Sequence, residues 1–124
     1  MKKYEILKDD FIQFEEKTLY RIRALRSFRN VRKGDIGGYI EKEDNLSHDG
    51  DAWVYGDAWV CGDAWVYGDA WVCGNAKVYG NAEVYGNAEV YGDAWVYGDA
   101  WVCGNAEVYG NAKVYRNAEV YGNA

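Results

Sequence analysis

Residues 50–67 read GDAWVYGDAWVCGDAWVY, and this six-residue unit decides the fold. From Gly50 to Tyr121 it recurs twelve times as Gly-(Asp/Asn)-Ala-x-Val-(Tyr/Cys), with Arg116 the single break in the Gly position. A further unit begins at Gly122-Asn123-Ala124. Each hexad predicts a four-residue strand, Ala-x-Val-Tyr, and a two-residue corner, Gly-(Asn/Asp). Side chains alternate along a strand, so Ala and Val are expected inward and x and Tyr outward. Asn and Asp tolerate left-handed backbone angles better than other non-Gly residues, which suits them to the corner. A corner in every hexad bends the chain repeatedly in one sense. The expectation is a solenoid, not a meander of hairpins.

Charge divides the chain in two. Residues 1–49 carry 11 Lys+Arg against 10 Asp+Glu, whereas residues 50–124 carry 3 against 10, within a total of −6. An acidic repeat does not seek nucleic acid, so direct nucleic-acid binding is not expected. It suits solubility, a basic partner, or imitation of a nucleic acid. MKKYEILKDDFIQFEEK lacks the apolar segment of a signal peptide, and no apolar run is long enough to span a bilayer, so a cytoplasmic, membrane-free protein is expected. Cys61, Cys73 and Cys103 all stand in Tyr positions of the repeat, without CxxC spacing or a nearby zinc-ligand partner, and are expected as free thiols rather than metal ligands.

Read from Val, the unit is aliphatic-x-Gly-(Asn/Asp)-small-x. It resembles the hexapeptide repeat of left-handed parallel β-helix proteins over residues 50–124. TLYRIRALRSF followed by KGDIGGYIEKEDNLS is similar to the lead-in of bacterial and phage hexapeptide-repeat proteins often labelled acyltransferases. The resemblance implies an all-β, triangular left-handed solenoid with three hexads to each coil and about four coils. It places residues 1–49 as an N-terminal β cap and lead-in and residues 50–124 as the solenoid. Stacking three hexads per coil gives three faces: Trp53, Trp71, Glu89, Glu107; then Trp59, Lys77, Trp95, Lys113; then Trp65, Glu83, Trp101, Glu119. Beside them run Tyr/Cys columns, among them Cys61, Tyr79, Tyr97, Tyr115 and Tyr67, Tyr85, Cys103, Tyr121. No two Cys share a column, which disfavours disulfides between neighbouring coils.

Two uses for the aromatic columns follow. Stacked rings at strand spacing stabilise the coil by roughly 0.2–1 kcal/mol per cross-strand pair, and Lys between Trp residues on the second face adds cation–π attraction. The same columns form a surface of the kind protein interfaces favour at their centres. The contact surface is expected at Trp59, Trp95, Trp65, Trp101, Tyr79, Tyr97 and Tyr115, with Glu83 and Glu119. An ice-binding row of Thr is excluded, because Thr18 is the only Thr.

The remaining features are weaker. The resemblance to acyltransferases implies a trimer with a catalytic His between subunits, but His48, the only His, falls in a degenerate hexad, Asp44–Asp49, where a core or capping role is expected. No catalytic residue and no cofactor is assigned. Gly34-Asp35-Ile36-Gly37-Gly38 lacks the Lys-Ser/Thr of a phosphate loop and suits a turn. Arg21, Arg23, Arg26, Arg29, Arg32 and Lys33, with Tyr20 and Phe28, have the composition of a nucleic-acid contact but suit a solvated strand face as well. Tyr121, Gly122, Asn123 and Ala124 form an open coil edge, expected to pair two chains into a homodimer. The expected role is an interaction or scaffold module for a protein partner. The alternatives are an acidic nucleic-acid mimic inhibiting a host DNA- or RNA-handling (defence) protein, a role the phage resemblance suggests, and a trimeric hexapeptide acyltransferase.

Overall fold

A computed structural model describes residues 2–122. It is an all-β solenoid with one 3-10 turn, Glu43–Asn45. Three strands come first: β1 (Tyr4–Phe14), β2 (Lys17–Ala24) and β3 (Ile36–Ile40). Twelve two-residue strands follow, each the x-Val pair of a hexad. They stack in parallel, one coil of three hexads upon the next, into three sheets. The first sheet runs Trp53, Trp71, Glu89, Glu107. The second runs Trp59, Lys77, Trp95, Lys113, and the third Trp65, Glu83, Trp101, Glu119. The three expected faces are therefore the three sheets.

Two details differ from the expectation. Strands are two residues long rather than four, because Tyr, Gly, Asp/Asn and Ala together make the corner. The Ala58 N–H donates back to the Tyr55 carbonyl (3.2 Å), closing a β-turn, and Gly56 at its first central position has φ +60°. That is where a II′ turn needs positive φ. The left-handed residue is thus Gly, while Asp and Asn keep ordinary angles and use their side chains instead. On two corners the columns alternate Asp and Asn, and the amides of Asn75 and Asn81 donate to Asp93 (3.3 Å) and Asp99 (3.1 Å) one coil on. Alternation separates carboxylates that would otherwise stack on each other.

Inside, Val54, Val60, Val66 and their successors through Val102 are fully buried, as are most of the corner Ala. Burying each Val contributes about 1.5–2 kcal/mol. The N-terminal segment closes the top of this core. Tyr39 and Ile40 of β3 pair in parallel with Trp59 and Val60, and Leu46 bridges Val66. These make a first, partial turn, giving about five turns in all. Ile40 and Leu46 each lie two positions further from their partners than the later coils lie from one another. Leu46 therefore occupies a Val position, although as the residue after Asn45 it stands in sequence where the repeat has Ala. Antiparallel β1 and β2 extend the second sheet beyond β3, which makes it seven-stranded.

Glycine stacks on glycine down each corner, except that Gly98 stacks on Arg116. A Cβ at Gly80 would meet the Gly98 backbone N at 2.9 Å, whereas a Cβ at Gly110 would meet nothing within 4 Å. Arg116, with φ +59°, stands in the same final coil as Gly110, where the corner has room for a side chain. Gly110→Ala should carry only the left-handed cost, about 1 kcal/mol. Gly80→Ala should add roughly 1–3 kcal/mol of overpacking to it. Urea unfolding of the two variants checks this order.

Candidate functional site

The three faces are built from one repeat, yet the chain covers them differently. On the first face Trp53 is only 1% exposed. It lies edge-on to Phe28 (5.3 Å) and Tyr4 (6.2 Å) under the cap. Trp71 below it is half-buried, with Tyr55 at 5.3 Å and the Arg29 guanidinium 4.2 Å above its ring.

On the second face Trp59 faces outward from the coil as expected, but it is not exposed. The β1–β2 hairpin folds over it, so Trp59 is 7% exposed and packs with Leu19, Tyr39 and Cys61, with the Phe14 ring at 4.3 Å. Repeat periodicity put x outward but carried no information about what would lie on it. Trp59 therefore leaves the candidate contact surface. Burial also pushes the Cys61 thiol up to about 11. Further down, Lys77 lies 5.3 Å from the Trp59 ring and 5.6 Å from Trp95, and Lys113 lies 5.2 Å from Trp95. The expected cation–π ladder is present. Tyr79, Tyr97 and Tyr115 stack beside it nearly parallel, at 5.0 and 5.4 Å. Tyr79 packs against the hairpin cluster, and Tyr115 is exposed.

The third face is open. Trp65 and Trp101 are each 42% exposed. Between them lie Tyr67, stacked on Trp65 at 3.8 Å, and Tyr85, stacked on Tyr67 at 4.8 Å and edge-on to Trp101 at 6.4 Å. The Tyr67 hydroxyl donates to Glu83 Oε1 (2.8 Å), and burial together with this carboxylate raises its pKa. The Cys103 thiol, hydrogen-bonded to the Tyr85 hydroxyl, pushes that group up to about 12. Both tyrosines are thus neutral, fixed rings at neutral pH. Glu119 is exposed below Trp101. Above Trp65 the lead-in leaves a cavity of about 440 Å³, lined by Glu43, Asp44, Ser47, His48, Asp63 and Trp65.

His48 serves the cap. Its ring stacks on Tyr4 at 4.1 Å, Nδ1 accepts the Lys3 backbone N–H (3.1 Å), and Nε2 meets Glu43 Oε1 at 2.8 Å. This bond is the largest influence holding the Glu43 carboxyl below its usual range. The basic stretch also works within the chain. Arg21 donates to the Gly37 and Gly56 carbonyls (2.9 and 2.8 Å) and to Asp57 (2.9 Å), Arg23 pairs with Glu5, and Arg26 lies over Phe28. Arg21 clasps the cap to the coils while Arg23 and Arg26 hold the cap itself together, roles that sequence composition alone does not distinguish from a nucleic-acid contact. Gly37 and Gly38 are buried where β3 crosses the first coils; a Cβ at Gly37 would lie 2.7 Å from the Val54 carbonyl oxygen.

Tyr121 is 65% exposed and Gly122 is exposed; Asn123 and Ala124 lie outside the described residues. The three cysteines are free. Among the described residues no helix is long and apolar enough to cross a membrane. A protein family described as the YdcK beta solenoid repeat matches residues 82–98. That stretch carries the x positions Glu83, Glu89 and Trp95, one from each face. No curated protein matches the chain.

One residue of the cap gave no sequence signal. Lys3 is fully buried, with Nζ donating to the Ala52 carbonyl (2.6 Å) and lying 5.0 Å from the Phe28 ring. Desolvation, and then Arg26, lower its pKa to about 8, against nearby Asp51, Asp49 and Asp69, which raise it. Between pH 8 and about 10.4 the unfolded chain holds more protons at this site than the folded one, so its contribution to stability rises with pH. Wild type should gain roughly 1–3 kcal/mol on Lys3→Met across that window. Denaturant unfolding of both proteins at pH 7.5 and 10 measures the difference, in which the tyrosine and cysteine titrations common to both cancel.

Proposed function

We propose that this chain is a non-enzymatic β-solenoid interaction module that binds a protein partner through its third face. The observation that supports this best is the pair Trp65 and Trp101, both 42% exposed on a repeat whose other indoles the chain itself covers. Large exposed indoles flanking stacked rings match the composition of interface centres. The stacked Tyr67 and Tyr85 are already ordered, so a partner meets a surface that loses little side-chain freedom on binding. Glu83 lies between the two indoles and Glu119 at the margin below Trp101, and Tyr97, Tyr115 and the half-buried Trp95 offer a secondary surface on the neighbouring face. Three free thiols suit work in the reducing cytoplasm.

The test is capture of a partner from nuclease-treated host lysate by the tagged chain. Trp65→Ala with Trp101→Ala should weaken capture by about thirtyfold or more. Both side chains are half-exposed, so the variant should stay folded by circular dichroism. Retention of the same partner at the same level by the folded double variant would overturn the proposal. A partner indifferent to these substitutions but released by salt would instead favour the acidic nucleic-acid mimic.

A further inference from the structure

We infer that the third face takes a basic segment of its protein partner, with arginine side chains laid over Trp65 and Trp101; this rests on the interaction role proposed above. The molecule supplies the precedent itself. Trp71 lies under Arg29 at 4.2 Å. Trp59 and Trp95 share Lys77 at 5.3 and 5.6 Å, and Lys113 adds a second cation to Trp95 at 5.2 Å. Trp53 is shut into the core. Among the described residues, no cation of the chain lies over Trp65 or Trp101, and these are the two most exposed indoles. The reason lies at one position of the repeat. The coil between two Trp residues carries Lys77 on the second face and Glu83 on the third. The swap removes the internal cation and leaves a carboxylate between the open rings.

The surroundings complete a cation site from outside. The cavity above Trp65 is edged by Glu43, Asp44 and Asp63. Lys2 and Lys42 pair with Glu43 and Asp63 at 3.2 and 3.0 Å, while Asp44 makes no ion pair among the described residues. Trp101 stands between Glu83 above and Glu119 below in its column. A ring face with carboxylates at its margin suits a guanidinium, which stacks flat and pairs edge-on, better than an ammonium. Trp65 and Trp101 are two strand steps apart, roughly 10 Å. An extended polyproline-type segment advances about 3.1 Å per residue and three residues per turn, so arginines at i and i+3 reach both rings from one side.

The probe is the peptide acetyl-Gly-Arg-Gly-Gly-Arg-Gly-amide, titrated into the full chain carrying 5-fluorotryptophan and followed by fluorine NMR. Trp65→Phe and Trp101→Phe identify the two resonances. Both should shift saturably while the other four stay in place. The citrulline counterpart, which keeps shape and hydrogen bonding but lacks charge, should leave them unmoved. Asp44→Asn should weaken arginine-peptide binding by about two- to fivefold. Equal shifts with arginine and citrulline would overturn the cation assignment and leave the interaction role standing. Shifts at Trp95 as large as those at Trp65, or none at either open ring, would overturn the inference as well.

Discussion

Everything in this molecule depends on coils of three hexads stacking in register. In every coil but the last, the N–H groups of x and of the Tyr/Cys position donate to carbonyls one coil on, as in Trp65 to Ala82 (2.9 Å) and Tyr67 to Val84 (3.0 Å). The register brings Gly onto Gly, Ala and Val onto their own kind, and ring onto ring. It fixes a close backbone contact at most corners between full coils, which a Cβ would obstruct; at Gly56 the nearest atom to a Cβ, the Gly74 carbonyl oxygen, lies at 3.4 Å. It also turns a linear sequence of hexads into vertical ladders, so a residue's neighbours lie a full coil away rather than beside it in the chain.

That geometry explains a regularity that the linear sequence leaves unexplained. Asp-Ala-Trp and Asn-Ala-(Lys/Glu) hexads come in runs close to one coil long, so on the second and third faces the two types alternate vertically. Asn amides then bridge to Asp carboxylates, Lys77 sits between two indoles, and Glu83 accepts from the Tyr67 hydroxyl of the coil before it. The ladders of the second and third faces thereby gain attractive contacts where a uniform repeat would stack like on like.

The six-residue period made the solenoid and the Ala/Val core legible, and the family resemblance, with three hexads to a coil, supplied the three faces. A cap over residues 1–49 was expected, but its packing was not legible. Nothing in MKKYEILKDD marks Lys3 for burial, and the longer offset at Ile40 and Leu46 breaks the phase that the later hexads keep. Trp59 and Trp65 occupy the same position of the same unit, yet one lies beneath Phe14 and the other beside an open cavity. Exposure here is set by where the non-repeating lead-in lies, and that is long-range packing. The candidate surface therefore narrows from four indoles on two faces to two on one, with Trp95 partly shielded by its lysines.

This division of one repeated aromatic position into covered and open rings is the claim on which the functional account stands. Hydroxyl-radical footprinting of the intact chain, with oxidation of each Trp read by peptide mass spectrometry, tests it most directly. Trp65 and Trp101 should oxidise fastest, Trp71 and Trp95 more slowly, and Trp53 and Trp59 should be protected until the protein unfolds. Oxidation of Trp59 as fast as that of Trp65 would show that the hairpin does not cover the second face, and would contradict the account.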